Sequence, residues 1–234
     1  MTGTKVMLIT GTRQGIGRYL AEYYVSQGFV VIGCSRKPTD FQFDRYEHFC
    51  LDVADELKVK ELFFKIRRTY KRLDVLINNA GIASMNHSLL TSVDLVRRMF
   101  DTNVLGTFLF CREAAKLMKA GPFGRIINFS TAATPLMLEG EAIYAASKAA
   151  VVSLTQILAR EFADFSITVN AVGPTPVRTN LTHSVPKDKM ERLINRQAIR
   201  RYADFKDISN VIDFFIKPES NFVTGQVVYL GGIS

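Results

Sequence analysis

Short runs of β-branched and other apolar residues alternate along the chain with longer stretches in which apolar positions recur every three or four residues. KVMLITG (5–11) reads as a buried strand ending in glycine, and QGIGRYLAEYYVSQG (14–28) as a helix stopped by Gly28. FVVIGCSR (29–36) and HFCLDV (48–53) read as the second and third strands. DELKVKELFFKIRRTYKRL (55–73) is an amphipathic helix, and DVLINNAG (74–81) a fourth strand running into a turn. A long helix is predicted over 92–120, with glycine at 106, then a fifth strand over 124–131. A second long helix covers 141–165, a sixth strand 166–174 and a seventh strand 223–232. Strands that alternate with helices indicate βαβ units and a parallel sheet, with right-handed crossovers that place helices on both faces. The expected fold class is therefore α/β: one domain over 1–234, built on a doubly wound, parallel, seven-stranded sheet. The least regular part, 174–206, is expected to form a lid over a binding site.

A chain of 234 residues can bury roughly 70–75% of its unfolded surface, enough for one full core. No run approaches the ~20 uninterrupted apolar residues that span a bilayer. The start, MTGTKVMLITG, does not read as a secretory signal. A cytoplasmic location and no membrane partner are expected. Cys34, Cys50 and Cys111 lie far apart and form no CxxC or Cys/His cluster. They read as free thiols, and no metal site is expected. The net charge of +8 raises the question of an acidic partner. The basic residues are scattered, however, and not interleaved with aromatics that could stack on bases, so no nucleic-acid partner is expected.

TGTRQGIG (10–17) lies between the first strand and the first helix, with Gly11, Gly15 and Gly17 in a GxxxGxG spacing around Arg13, Gln14 and Ile16. Glycines let the backbone turn sharply against a pyrophosphate, and the helix that follows offers free N–H groups and a positive dipole end. The triplet alone is weak evidence. Its place in the first βα turn of a parallel sheet makes it a dinucleotide cradle of Rossmann type. A site selective for NAD(H) carries an acid about 20 positions further on, to hold the ribose 2′-hydroxyl. Here the second strand ends in Cys34-Ser35-Arg36, with no acid. Arg36, helped by Arg13, suits a 2′-phosphate, so NADP(H) is expected rather than NAD(H).

Tyr144 and Lys148 stand four residues apart in YAASK (144–148), on one face of a helix. A phenol titrates near 10 and is a poor proton carrier at neutral pH, and a nearby ammonium lowers that value. A phenol tuned in this way can protonate a carbonyl oxygen as hydride reaches the carbon. With TGTRQGIG, the chain also carries NNAG (78–81), Asn103, YAASK and Gly173-Pro174 in order. It resembles the classical short-chain dehydrogenases/reductases over essentially its whole length.

The resemblance implies a role for each of these positions. Tyr144 would be the general acid/base, Lys148 would tune it and hold the nicotinamide ribose, and Asn103 would anchor a water in a proton relay. Asp52 and Val53 would meet the adenine, and Asn79, Ala80 and Gly81 its ribose. Pro174, Val177 and Thr179 would border the nicotinamide. Three positions depart from the family pattern. The catalytic serine position falls on Thr131, not Ser130; Pro-Gly is replaced by Pro174-Thr175; and Leu230 stands where an acid is usual. Within the family the pattern is nearest to 3-oxoacyl-(acyl-carrier-protein) reductases. The implied substrate is a small carbonyl compound, bound to a carrier protein or coenzyme A or free, and basic residues at Lys187, Lys189, Arg192, Arg196, Arg200 and Arg201 fall in the expected lid. A sugar, polyol or specialised-metabolite ketone is the competing substrate class. A non-catalytic sensor of dinucleotides is the competing function, opposed by the intact Tyr/Lys/Asn set. The resemblance also implies a homodimer or homotetramer through the two long helices, with a stripe at Val151, Leu154, Leu158 and Phe162.

Overall fold

The computed structural model describes residues 4–179 and 187–233. All seven expected strands form and lie in one sheet. In chain order they are β1 (Val6–Thr10), β2 (Val30–Ser35), β3 (Tyr46–Cys50), β4 (Val75–Asn78), β5 (Gly124–Phe129), β6 (Ile167–Gly173) and β7 (Val227–Tyr229). The sheet order is β3-β2-β1-β4-β5-β6-β7, and every pair is parallel. The order reverses between β1 and β4, so the carboxyl ends of these two strands border a crevice, the usual ligand position in such sheets.

The helices are α1 (Gly15–Ser26), α2 (Glu56–Tyr70), α3 (Val93–Phe100), α4 (Gly106–Met118), α5 (Ala133–Leu136), α6 (Ala142–Glu161), α7 (Lys187–Asn195) and α8 (Phe205–Ile216). They bury the sheet from both sides. Leu62 and Phe63 of α2, Phe110 of α4 and Leu158 of α6 pack on one face. Leu20 and Tyr24 of α1 with Ile208, Ile212 and Phe215 of α8 pack on the other. On that second face the hydroxyls of Tyr23 and Tyr24 both donate to the Asp213 carboxylate, at 2.6 and 2.9 Å, and tie α1 to α8.

Several boundaries differ from the sequence reading. β3 starts at Tyr46 and ends at Cys50, because Tyr46 pairs with Val31 and the chain after Cys50 turns toward the Asp55 cap of α2. The predicted helix over 92–120 is interrupted by a π turn at Asp101–Leu105. Such insertions recur at functional sites, and this one holds Asn103. α8 had no counterpart in the sequence reading; the signal was Asp204 with Asp207, which form a capping box. The irregular 174–206 contains α7, while 180–186 of the expected lid lies outside the described residues. The stripe assigned to self-association is instead used within the fold: Val151 and Leu158 are buried, and Leu154 and Phe162 pack on the same core as Leu158. By length and composition α6 could cross a bilayer, but in this fold it lies against β6.

Gly17 sits where α1 meets the end of β1. A Cβ there would fall 2.2 Å from the Gly11 carbonyl oxygen, which is backbone, and 2.5 Å from Asn79 Nδ2, which is tied to the Thr10 and Gly11 carbonyls. Gly17→Ala must therefore displace α1 from the strand end. It should lower stability by about 2–3 kcal/mol, read as a drop in thermal midpoint, and weaken dinucleotide binding at the same time. An unchanged midpoint would show that the helix has room to yield.

Candidate active site

A cleft of about 1120 Å³ opens over the carboxyl ends of the strands. It collects nearly every residue expected from the sequence: Gly11, Arg13, Gln14, Gly15, Ile16, Ser35, Arg36, Asp52, Val53, Asn79, Ala80, Gly81, Thr131, Tyr144, Lys148, Pro174, Val177 and Thr179. Two are set behind its wall. Gly17 is buried in the contact just described, and Asn103 is fully buried beneath the floor.

One end of the cleft has the form of a phosphate cradle. Gly11 has φ +76, and a Cβ there would meet Asn79 Nδ2 at 2.9 Å. Asn79 Nδ2 donates to the carbonyls of Thr10 and Gly11 (2.9 and 3.3 Å), and Ala80 N donates to Thr10 Oγ1 (2.9 Å). The loop is thus fixed by the end of β4. Arg13, Arg36 and Lys37 are exposed along this end, and among the described residues none of the three takes part in an ion pair. Beneath them, the Ser35 hydroxyl donates to the Lys37 carbonyl (2.7 Å) and contacts His48 Nε2 (3.1 Å). His48 Nδ1 in turn meets the Tyr46 hydroxyl (2.9 Å), which donates to Thr12 Oγ1 (2.8 Å). This support from β3 was not foreseen in the sequence, because nothing in the spacing of Tyr46 and His48 ties them to β1 or β2. Burial lowers the His48 pKa.

The other end holds the tyrosine and lysine. Lys148 is 5% exposed, and its Nζ donates to the Phe129 carbonyl at the end of β5 (2.8 Å). Burial pushes its pKa down to about 8. Asn103 is the brace: its Oδ1 accepts from Ile82 N, and its Nδ2 donates to the Ile82 carbonyl and to Ser147 Oγ, all within 3.0 Å. The π turn, the segment after β4 and α6 are thereby locked together.

Tyr144 departs from the expected tuning. Burial pushes the phenol up to about 12, the Thr131 hydroxyl bonded to it acts in the opposite direction, and the Glu141 carboxylate raises it further. Lys148 is not among these causes; its ammonium is directed at Phe129 instead. At neutral pH the phenol therefore carries its proton, the form that can donate to a carbonyl oxygen.

Thr131 lies beside the phenol, and its Oγ1 also accepts from Ala133 N (3.3 Å). Ser130 Oγ is buried and has no hydrogen-bond partner among the described residues. Of the basic residues in the expected lid, Lys189, Arg192 and Arg196 line the cleft from α7 and the turn after it, whereas Arg201 is paired with Asp207 (2.7 and 2.9 Å) outside it. The sequence reading also missed Met85, Met137, Glu141, Met190 and Leu193, which line the cleft from loops and helices with no motif of their own.

Known proteins resemble the chain over nearly its whole length. A family model described as enoyl-(acyl carrier protein) reductase matches residues 11–233. The 3-oxoacyl-[acyl-carrier-protein] reductase FabG of Salmonella typhimurium is 28% identical over 97% of this chain and 96% of its own length. The chloroplastic NADPH-dependent aldehyde reductase 2 of Arabidopsis thaliana is 31% identical over 97% and 93%. The solved structure of ElxO with NADP bound superposes with a TM-score of 0.89, at 30% identity over 97% of each chain.

Two outcomes follow from the geometry. The folded Lys148 value, about 8, lies below its ordinary 10.5. Between these pH values the unfolded chain holds a proton that the folded protein has released, so stability owed to this group rises with pH. Measured against Lys148→Met, wild type should gain up to about 3 kcal/mol from pH 8 to 10.5; a flat difference in denaturant unfolding would show that the ammonium is not desolvated. For the two hydroxyls, Thr131→Val should lower kcat about tenfold or more at nearly constant shape. Ser130→Ala should leave kcat within about threefold and stability equal or higher, because it removes an unpaired buried hydroxyl. The reverse ranking would move the role to Ser130.

Proposed function

The chain belongs to the short-chain dehydrogenase/reductase family, and from that premise we propose that it reduces a ketone to a secondary alcohol with NADPH. One observation carries the reading: a single cleft joins a glycine cradle edged by Arg13 and Arg36 to Tyr144, with Thr131 on its phenol and Lys148 one helical turn away. Bound in that cradle, NADPH would supply hydride to the carbonyl carbon. Tyr144 gives the carbonyl oxygen its proton as charge develops there. Thr131 holds the same oxygen in line, and Lys148, braced through Asn103 and Ser147, holds the nicotinamide ribose. The aldehyde reductase named for NADPH and the NADP-bound ElxO support this choice of cofactor. The chain also lacks an acid at the end of β2.

Lys189, Arg192 and Arg196 give the entrance a basic wall, which supports a substrate with an anionic far end. Thioesters on a carrier protein or coenzyme A are one such class, as the FabG relatives suggest; anionic sugars, polyols and specialised metabolites are the other. Self-association is part of the proposal, through the faces of the π turn, α4 and α6 left open at Leu105, Phe108 and Ile157.

Tyr144→Phe should bind NADPH as wild type does and lose about 10²–10⁴-fold in kcat. Retention of a third of wild-type turnover would remove Tyr144 from the role. NADPH should bind at least about tenfold more tightly than NADH, since charge-assisted hydrogen bonds contribute about 1.5–3 kcal/mol each. Arg36→Ala should erode that preference from the NADPH side alone, and equal affinities in the wild-type titration would refute the assignment.

A further inference from the structure

Glu141 stands at the N-cap of α6, three residues before Tyr144, and lines the same cleft. Residues three apart on a helix are neighbours, so its carboxyl and the phenol share a wall; the carboxylate acts on the phenol directly. The position is fixed from both sides. Ala145 N donates to the Glu141 carbonyl (2.7 Å), and the preceding Gly140 carbonyl accepts from Asn86 N (2.8 Å). Yet the side chain does not cap the helix and has no hydrogen-bond or ion-pair partner among the described residues. It is half-buried, and burial raises its pKa.

A half-buried carboxyl without a protein partner on a cleft wall loses its water when a ligand fills the cleft, and a ligand that donates to it offsets that loss. The donor must lie close to the reacting carbonyl, because Tyr144 has to reach the carbonyl oxygen from one turn away. Lys148, Lys189, Arg192 and Arg196 around the same cleft oppose a cationic donor. A plain acyl chain would leave the carboxyl facing methylene groups.

We propose that Glu141 is a specificity-determining residue that accepts a hydrogen bond from a hydroxyl on the carbon next to the reacting carbonyl, so that the substrates of this cleft are α-hydroxyketones. The inference rests on the reading of Tyr144 as the proton donor and narrows it to one substrate class. An anionic group at the far end of such a ketone would meet Arg192 and Arg196.

The test uses ketone pairs of several chain lengths whose members differ only by a hydroxyl beside the carbonyl. With NADPH, wild type should prefer the hydroxylated member by about tenfold or more in kcat/KM. In Glu141→Leu the ratio should fall below about threefold. A second arm measures equilibrium binding of the same pairs to Tyr144→Phe loaded with NADPH, with and without Glu141→Leu. The hydroxyl preference should persist in the single variant and vanish in the double one. No binding preference in Tyr144→Phe, or an equal loss of both members in Glu141→Leu, would overturn the inference. A Glu141-dependent binding preference in a protein that turns over no ketone would uphold hydroxyl recognition and reject the reductase reading.

Discussion

The hydrogen bond from the buried Lys148 ammonium to the Phe129 carbonyl is the contact on which the catalytic end of this molecule depends. An ammonium in a protein interior is expensive, and here burial lowers its pKa to about 8. It is tolerated because the carbonyl belongs to the last residue of β5, which is locked in the sheet. The surroundings leave little freedom. A Cβ on Gly81 would come within 3.4 Å of Lys148 Nζ and 3.2 Å of Asn103 Oδ1. Asn103, presented by the π turn between α3 and α4, ties Ile82 to Ser147, the neighbour of the lysine. Strand end, π turn and helix are thus held in one arrangement around one charge.

The state of the phenol is set by other neighbours, because the Lys148 ammonium is turned to Phe129. The half-buried phenol beside the Glu141 carboxylate is kept protonated, and the Thr131 hydroxyl is the group that eases its ionisation. The phenol therefore holds its proton at neutral pH. At the opposite end, Arg13, Arg36 and Lys37 leave positive charge exposed over a loop whose glycines bring backbone close to any ligand. The sheet places these two functions on one edge because all seven strands point the same way.

Much of this was legible in the sequence, for identifiable reasons. Continuous apolar runs gave the strands, since a sheet covered on both faces has no polar side to show. The glycine loop and YAASK were readable because each is a local device, set by spacing within a single turn. What could not be read depends on contacts between distant segments. The π turn at Asp101–Leu105 continues a helical pattern without a break in periodicity. His48 and Tyr46 support Ser35 and Thr12 only once β3 lies beside β2. The direction of the Tyr144 shift depends on burial and on Glu141 rather than on the lysine four residues away. The apolar stripe of α6 was ambiguous from periodicity alone, because a face that covers a sheet and a face that meets a partner have the same pattern.

The central claim is that one cleft passes hydride to a carbonyl carbon while Tyr144 supplies the proton. It is tested most directly by isotope transfer, with NADPH deuterated at either face of nicotinamide C4 and the alcohol product examined by mass spectrometry. The account predicts one deuterium on the carbinol carbon from one of the two labelled forms and none from the other. Ketone reduction with no label from either form, or with label from both alike, would contradict it.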